Sequence, residues 1–338
     1  HTAFAPLYLR TNYAWDQLFS ATRSVLTIHN IGYQGVFWSV EAADLGLGDA
    51  QWMLHQDELR DGRINPMLHG VMYADLVTTV SPTYAAEICT PEYGAGLDAL
   101  LRARGGQVTG ILNGVDYGEW DPAHDRYLDT HTYTAADLTG KARARQAFAR
   151  EMALSIGPRT LVLGIVSRLV SQKGIDLLEA VLPDVLRHYD CALLAVGSGD
   201  RVYEQFLTRL MNEFPGRVHY TRGYSERLAH WIEAASDAFL MPSRYEPCGL
   251  NQMYSLRYGT VPIVRRIGGL ADSVTHYSPS EGTGDGLVFA EYTPGALRAA
   301  IDQAVVLFGT EHWARMQKNG MAQDYSWKTQ GALYEEAY

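Results

Sequence analysis

From about Thr160 onward, short apolar runs alternate regularly with segments in which apolar residues recur at helical spacing. The runs, such as "TLVLGIVS" and "DAFLMPS", are bounded by Gly, Pro and Ser, whereas segments such as "GIDLLEAVLPDVL" carry one charged face. Buried strands that alternate with helices predict βαβ units, hence a parallel sheet covered on both faces. Because βαβ crossovers are right-handed, this half is predicted to be a doubly wound, Rossmann-like α/β domain.

The first part of the chain has fewer regular elements. "SVLTIHN" and "DLVTTVS" predict strands, "PTYAAEI" a helix after a Ser-Pro cap, and "GILNGVD" a short strand that leads into a turn. Residues 35–66 are rich in Gly and Trp and predict a long connection. Two strands and long loops do not make a self-sufficient α/β domain of this size. We therefore interpret the first part as the remainder of a domain whose earlier strands are absent from this sequence.

These patterns predict a domain order along the chain. Residues 1–121 form the remainder of the first domain, and 122–157 form a polar, then helical connector that contains "KARARQAFAREMAL". Residues 158–320 form the second Rossmann-like domain. Residues 321–338, with "DYSWKTQGALYEEAY", are expected to form a helix that packs back toward the first domain.

Composition narrows the classes of function. The 338 residues are 47% hydrophobic and 20% charged, which is typical of a globular protein of about two domains. The net charge of -10 argues against a broad nucleic-acid surface, and no apolar run reaches the ~18 residues of a membrane span. The cysteines, Cys89, Cys191 and Cys248, lack C-x-x-C spacing, so neither a disulfide framework nor a metal site is indicated. Reduced thiols fit a cytosolic-type compartment.

In an open parallel sheet, ligands bind beyond the carboxyl ends of the strands, where loops lead into helices. One such loop, "SRLVSQKG", carries Arg168 and Lys173. An Arg fork and a Lys point charge together suit a diphosphate. The alternative is two solvated cations, which is disfavoured because cations at a helix start oppose the helix dipole.

A second loop, "SRYEPCGL", places a carboxylate, a thiol and a glycine together before a helix. Gly249 permits close approach of the backbone, and the helix that starts at Leu250 offers free N–H groups to an anion. Glu246 can reach ligand hydroxyl groups or balance positive charge that develops on the ligand. Cys248 is most simply a small residue whose backbone N–H matters, and the alternative, a nucleophilic thiol, has no neighbouring His motif to activate it.

Three further features give weaker signals. "GSGD" lacks the third glycine of a dinucleotide fingerprint and is best read as a tight turn, which argues against an NAD-dependent oxidoreductase. Tyr224 can stack on a nucleobase or cap the edge of the core. Gly268 and Gly269 of "GGLADSV" add a second Gly-rich turn to the same rim. Together the loops predict a pocket for a sugar diphosphate.

Stretches spread over the whole chain resemble bacterial glycogen synthase and plant starch synthase: "TIHNIGYQGVF", "VSPTYAAEI", "TPEYGAGLDALL", "ILNGVDYGEWDP", "SRLVSQKGIDLL", "GYSERLAH", "SRYEPCGLNQMYSLRYGTVPIVRRIGGLADSV" and "DYSW". The resemblance implies the GT-B fold, in which a cleft separates two Rossmann-like domains. It also implies a retaining glucosyltransferase that moves glucose from ADP-glucose to the 4-hydroxyl at the non-reducing end of an α-1,4-glucan, with no cofactor, metal, nucleic acid or membrane. Such an enzyme is expected in the cytoplasm, or in a plastid if the source is a plant.

The resemblance also assigns roles to residues. Arg168 and Lys173 resemble the pair that holds the diphosphate leaving group, and Glu246 is similar to the carboxylate that faces the donor glucose. The remaining donor-binding residues implied are the backbone donors Cys248, Gly249 and Leu250, with Asn251, the adenine-stacking Tyr224, Asn113 in the cleft, and Gly268 and Gly269 on the rim.

The sequence departs from the family pattern at several places. A Lys-x-Gly-Gly-Leu loop and a His-Asp-Trp run would precede His1, so we expect this chain alone to transfer no glucose. Leu68 stands where many members have Lys, and Asn251 where some have Thr, a milder change since both residues can cap a helix. Two alternatives stay open: another GT-B enzyme with a different donor, which Tyr254 in place of a second Glu disfavours, and an inactive glucan- or nucleotide-binding fragment.

Overall fold

The computed structural model describes residues 2–104 and 108–337, so His1 lies outside the described residues. The chain divides into two compact units, of which the first ends at Leu112 and the second runs over Asn113–Glu336. The segment 122–157, for which the sequence predicts a connector, falls within the second unit.

Unit 1 is built from short elements. Its strands are β1 (Val25–Ile28), β2 (Phe37–Trp38), β3 (Arg63–Ile64), β4 (Leu76–Thr79) and β5 (Val108–Gly110), and its helices are α1 (Ala5–Arg10), α2 (Gln56–Arg60), α3 (Pro66–Tyr73), α4 (Pro82–Glu87) and α5 (Asp98–Ala103). Strands β1, β4 and β5 form a parallel sheet in the order β1-β4-β5, and β2 pairs with β3 in antiparallel fashion.

Local sequence explains how two helices of unit 1 start. Asn65 and Ser81 each precede a proline, and each side chain accepts a hydrogen bond from the backbone N–H three residues later. This satisfies one of the free N–H groups in the first turn, while the proline needs no acceptor. Leu68, in the first turn of α3, is buried. The position where relatives often have a lysine is therefore filled by an apolar side chain.

Unit 2 carries the longer elements. Its strands are β6 (Leu161–Val166), β7 (Cys191–Gly197), β8 (Val218–Arg222), β9 (Ala238–Met241), β10 (Val261–Arg265) and β11 (Leu287–Phe289), and its helices are α6 (Thr139–Glu151), α7 (Ile175–His188), α8 (Arg201–Glu213), α9 (Glu226–Ala235), α10 (Asn251–Arg257), α11 (Gly268–Ser273), α12 (Pro294–Leu307), α13 (Glu311–Met321) and α14 (Trp327–Ala337).

The sheet of unit 2 is wholly parallel, with the strand order β11-β10-β9-β6-β7-β8. Read from its other edge, the order is third, second, first, fourth, fifth, sixth, which is the Rossmann order. Every residue of β7 and β9 is buried, as expected for strands covered by helices on both faces. The prediction of a doubly wound α/β domain in the second half is confirmed.

The predictions from the sequence were less accurate where the strands are short. "SVLTIHN", "DLVTTVS" and "PTYAAEI" contain β1, β4 and α4, as predicted, but the strand predicted in "GILNGVD" lies earlier. Pairing with β4 ends at Gly110, so Ile111 and Leu112 are buried without belonging to the strand. The long connection 35–66 contains the β2–β3 pair and α2. The predicted C-terminal helix is present as α14, and its packing toward the first domain stays a prediction.

Candidate active site

A cavity of unit 2 lies next to β6 and β9, the two strands between which the strand order of the sheet reverses. Strands β6 and β9 are neighbours in the sheet although β7 and β8 intervene in the chain. Their diverging connections leave a crevice at the carboxyl ends, the usual ligand site of such sheets. A cavity of about 190 Å³ is found there, lined by Ile165, Val166, Ser167, Arg168, Lys173, Ile175, Leu178, Leu240, Met241, Ser243, Gly249, Leu250 and Asn251.

A lysine and a glutamate from two different loops form an ion pair at this cavity. The Nζ of Lys173 lies 2.6 Å from the Oε2 of Glu246, and the hydroxyl of Ser243 donates to the same oxygen at 3.0 Å. The Glu246 side chain is 5% exposed, whereas that of Lys173 is 21% exposed and lines the cavity. Lys173 and Ser243 thus hold the buried carboxylate in place, and the ammonium group of Lys173 borders the cavity.

Close contact between the two loops depends on a glycine. Gly174 has a φ of 72°, and a Cβ atom there would lie 2.0 Å from the carbonyl oxygen of Pro242. The backbone N–H of Arg244 donates to the carbonyl of Gln172 at 2.8 Å, which ties the loops together. Only a residue without a side chain fits this approach and this left-handed conformation. The glycine that follows Lys173 therefore brings the lysine within reach of Glu246.

The turn after Glu246 is held by one buried amide. The Nε2 of Gln252 donates to the carbonyls of Cys248 and Gly249, each at 3.1 Å, and to the hydroxyl of Ser273 at 2.9 Å. Gly269 packs directly beneath, because a Cβ atom there would lie 2.1 Å from the Cys248 carbonyl oxygen. The sequence prediction that the two Gly-rich turns meet agrees with these contacts.

The thiol of Cys248 is buried and protonated at neutral pH. Burial raises its pKa to about 12, and the backbone N–H of Asn113 donates a hydrogen bond to the sulfur, which lowers the pKa only partly. Cys248 is 5% exposed. A thiol with such a pKa is a poor nucleophile, which agrees with the interpretation that its backbone is the relevant part. The main chain of Asn113 therefore lies next to the site.

Asn251 lines the cavity but does not cap the helix. Its Nδ2 donates to the carbonyl of Val166 at 2.7 Å, at the end of β6. The cap position belongs to Leu250, which makes no side-chain cap. The amide of Asn251 thus donates to a neighbouring strand rather than capping the helix, and its role in donor binding stays a prediction.

Arg168 follows β6, and its loop lies against the turn "GSGD". A Cβ atom on Gly197 would lie 1.9 Å from the Ser167 carbonyl oxygen, and one on Gly199 would lie 2.3 Å from the Leu169 carbonyl oxygen. The two glycines therefore allow neighbouring loops to touch, as expected for a tight turn. The side chain of Arg168 is exposed and lines the cavity.

The structure leaves Tyr224 outside the cavity wall. Its ring is 79% exposed, and its hydroxyl donates to the carboxylate of Glu226, which raises the tyrosine pKa to about 12. Gly268 is buried and begins α11 without lining the cavity. Of the predicted residues, the structure therefore brings Arg168, Lys173, Glu246 and the turn at 248–251 together.

Sequence reasoning missed the residues that support this site. Ser243 and Gln252 are buried polar residues within "SRYEPCGLNQM", close to the glutamate and the glycine that drew attention. A serine next to a strand end and a glutamine in the first helical turn are common on surfaces, so their type alone gives no signal. Their closeness to Glu246 in the sequence was the one signal that could have indicated a supporting role.

Two further properties concern the described residues only. Among residues 2–104 and 108–337, no helix is long and apolar enough to span a bilayer. The same residues contain no group of three or more His, Cys, Asp or Glu side chains arranged to hold a metal ion. The prediction that no metal or cofactor is required stays a prediction.

Comparison with known proteins places the chain in a family. Residues 1–103 match the starch synthase catalytic domain, and residues 153–322 match the glycosyl transferases group 1 family. A glycogen synthase of Anaeromyxobacter dehalogenans is 48% identical over 98% of this chain and 69% of its own length, and one of Koribacter versatilis is 45% identical over 100% and 69%. The chain belongs to the glycogen synthase and starch synthase family. Its resemblance to that family at the level of motifs is confirmed.

The three-dimensional comparison agrees. The catalytic domain of starch synthase IV from Arabidopsis thaliana, solved bound to ADP and acarbose, matches with a TM-score of 0.91 and 34% identity over 99% of this chain and 70% of that one. The synthase therefore has the GT-B fold with Rossmann-like domains, and it is a retaining glucosyltransferase. The roles of individual site residues, the compartment and the expected inactivity of this chain alone stay predictions.

Proposed function

We propose that this synthase transfers glucose from ADP-glucose to the 4-hydroxyl at the non-reducing end of an α-1,4-glucan. The observation that carries the proposal is the Lys173–Glu246 pair, which sets a cation and a buried carboxylate side by side at the wall of the switch-point cavity. A nucleotide sugar carries a diphosphate next to a neutral sugar and needs both kinds of group. The Arabidopsis relative, bound to ADP and acarbose, supports a nucleotide and a glucan-like sugar as ligands.

Lys173 and Arg168 act on the leaving group in this proposal. When the bond between the anomeric carbon and the diphosphate oxygen breaks, negative charge grows on the diphosphate. An ammonium group has three protons, and Glu246 takes one of those of Lys173, so the others remain to donate toward the cavity. Arg168 supplies a second cation from the same loop. Donors fixed in advance toward a developing charge are usually the largest catalytic contribution of such sites.

Glu246 acts on the sugar side. Its carboxylate is kept in one position by Lys173 and Ser243, and it lies in the loop that leads to the backbone turn at Gly249. There it accepts hydrogen bonds from glucose hydroxyl groups and opposes the positive charge that develops at the anomeric carbon. The acceptor oxygen then bonds to that carbon on the face that the diphosphate leaves, and its proton goes to the departing phosphate oxygen. No covalent enzyme intermediate is required.

Tyr224 supplies the base contact in this proposal. Its exposed ring lies on the loop after β8, and stacking on a purine covers more ring area than stacking on a pyrimidine. We therefore expect ADP to bind more tightly than UDP.

Isothermal titration calorimetry of the chain with ADP and with UDP tests the donor. Tyr224→Ala is expected to weaken ADP binding, whereas Tyr224→Phe keeps the ring and serves as the matched control. Equal affinities for ADP and UDP, or tighter binding of UDP, would remove ADP-glucose as the donor and favour a different sugar nucleotide. Loss of ADP affinity in both tyrosine variants would show that the hydroxyl, not the ring, makes the contact.

A further inference from the structure

A tryptophan in the segment before the connector lies flat between two rings. The indole of Trp120 stacks on Tyr254 at a centroid distance of 3.9 Å and an interplanar angle of 2°, and on His230 at 3.7 Å and 15°. Tyr254 belongs to α10 and His230 to α9. The indole thus joins two helices, which a hydrogen bond of 2.8 Å from Ser255 of α10 to Glu233 of α9 also joins.

One of the two stacked rings, that of His230, is itself held by hydrogen bonds. The Nδ1 of His230 lies 2.9 Å from a carboxylate oxygen of Asp125, and the hydroxyl of Tyr258 donates to the same oxygen at 2.6 Å. His230 and Asp125 are both fully buried as side chains. The His230 face that Trp120 contacts therefore cannot turn away from the indole without breaking its hydrogen bond to Asp125.

The same segment is also anchored to the far end of α10. Arg257 forms an ion pair with Asp121 and lies over the ring of Tyr117, with 4.6 Å between the guanidinium carbon and the ring centroid. Residues 117–125 therefore contact α10 both at Tyr254 and at Arg257, its last residue.

Helix α10 starts at the cavity. Gly249, Leu250 and Asn251 line the cavity, and Tyr254 follows Asn251 by three residues, which is about one helical turn. The helix has seven residues, so little of its position is fixed by its own hydrogen bonds. Its placement therefore depends on side-chain contacts, among them the hydrogen bond from Asn251 to the carbonyl of Val166 and the stack of Trp120 on Tyr254.

We propose that Trp120 is a positioning residue of the donor site, which holds the turn at Gly249–Asn251 in place by stacking on Tyr254. The inference rests on the proposed function, since it takes the ligand of that turn to be a nucleoside diphosphate. Trp120 does not line the cavity and does not touch the ligand itself. Trp120 acts through α10. Seven residues before it in the chain, the backbone N–H of Asn113 donates to the sulfur of Cys248, in the turn that precedes α10.

The experiment measures ADP affinity by calorimetry and unfolding by urea for five variants of the chain: four single variants and the double variant Trp120→Ala/Tyr254→Ala. Trp120→Ala and Tyr254→Ala each remove one ring of the stack, and Trp120→Phe restores a ring of smaller area. Trp313→Ala is the matched control, because Trp313 is a buried indole that packs on Phe308, with both residues outside the cavity lining. If either alanine variant of the stack fails to fold, Trp120→Phe and the other variant still decide the question.

We expect Trp120→Ala to weaken ADP binding by about tenfold, the effect of losing one good aromatic pair. Tyr254→Ala should do the same, and the double variant should lose less than the product of the two, because both remove one contact. Trp120→Phe should recover most of the affinity, because it restores a ring that can stack on Tyr254. Trp313→Ala should unfold at lower urea and bind ADP as the wild type does.

Two results overturn the inference. Wild-type affinity in Trp120→Ala, or an affinity of Trp120→Phe no better than that of Trp120→Ala, would show that the stack does not position the turn. In both cases the wild type still binds ADP, so the proposed function is unaffected. A wild type that binds no ADP would instead overturn the proposed function, and this inference with it.

Discussion

The two ends of the sheet in unit 2 each carry a cation paired with a buried carboxylate, and the two are built differently. At the carboxyl end, Lys173 pairs with Glu246, and among the described residues this carboxylate is the one hydrogen-bond partner of the ammonium group. At the amino end, Arg145 pairs with Asp237, which directly precedes β9.

At the amino end, Lys141 and Arg145 are both surrounded by acceptors. The ammonium group of Lys141 donates to the carbonyls of Glu233 and Ala234 and to the hydroxyl of Thr260, at 3.2, 3.1 and 2.7 Å. Three acceptors for three protons leave none for a ligand. Burial lowers the Lys141 pKa to about 7, so its charge is only partly retained.

Arg145 is similarly occupied. One guanidinium nitrogen meets Asp237 at 2.5 Å, and another donates to the carbonyls of Gly157 and Thr160. A cavity of about 380 Å³ borders these residues, yet the charges on its wall are already paired. The comparison teaches that a cavity with charged walls is a functional candidate only when a cation keeps donors for the ligand, as Lys173 does.

The largest expected effect on ADP binding separates the two ends directly. Lys173→Ala should weaken ADP binding by about ten- to a hundredfold, because a charge-assisted hydrogen bond to the diphosphate is lost and Glu246 is left uncompensated. The free energy of unfolding should also fall, because Glu246 stays buried without its cation, but by less than for Arg145, since the Lys173 side chain is the more exposed of the two cations. Calorimetry and urea unfolding measure the two quantities. Unchanged ADP affinity would contradict the assignment of this end as the donor site.

The reverse pattern is expected at the amino end. Arg145→Ala leaves the carboxylate of Asp237 buried without its direct partner, and breaking such a pair typically costs about 3–5 kcal/mol. Urea unfolding should show this loss, while the folded fraction should bind ADP with wild-type affinity. A weakened ADP affinity with unchanged stability would show that the amino end communicates with the cavity.

A pH series sharpens the interpretation of the amino end. Burial raises the pKa of Glu233 to about 8 from the ordinary 4.5, and Ser255 donates to its carboxyl group at 2.8 Å. Between pH 5 and 7 the folded state therefore keeps a proton that the unfolded state releases. The folded state binds more protons in this window, so this residue makes stability fall as pH rises.

Glu233→Gln removes that dependence. The slope of unfolding free energy against pH between 5 and 7 should become less negative, by at most about 1.4 kcal/mol per pH unit. Urea unfolding at three pH values measures the slope, and Glu213→Gln, on an exposed ion pair, is the control. Parallel lines for wild type and Glu233→Gln would show that the buried carboxyl group is ionised throughout.

The smallest effect is expected at Cys248. In Cys248→Ser the hydroxyl can accept the hydrogen bond from the Asn113 backbone, and the cost to stability should be about 1 kcal/mol. ADP affinity should be unchanged, because the turn contributes its backbone. A Cys248→Ser variant that binds ADP as poorly as Lys173→Ala would give the thiol a role that its burial argues against.

Much of unit 2 could be predicted from the sequence because its signals are local. Apolar runs that alternate with amphipathic helices specify parallel strands, and the carboxyl ends of such strands meet at one edge. This is why Arg168 and Glu246, which are far apart in the chain, could be placed in one site. In unit 1 the strands are short and the pattern is weak, so the strand predicted in "GILNGVD" lay too late.

The sequence by itself determined the order of strands and helices in unit 2 and which loops border the cavity. Tertiary structure alone decided which groups touch: that Lys173 pairs with Glu246, that Asn251 donates to Val166, and that Trp120 lies between two rings. Periodicity depends on neighbours along the chain, whereas these contacts depend on how closely separate loops approach. That approach is set by backbone geometry such as Gly174 against Pro242, which no pattern of apolar and polar residues encodes.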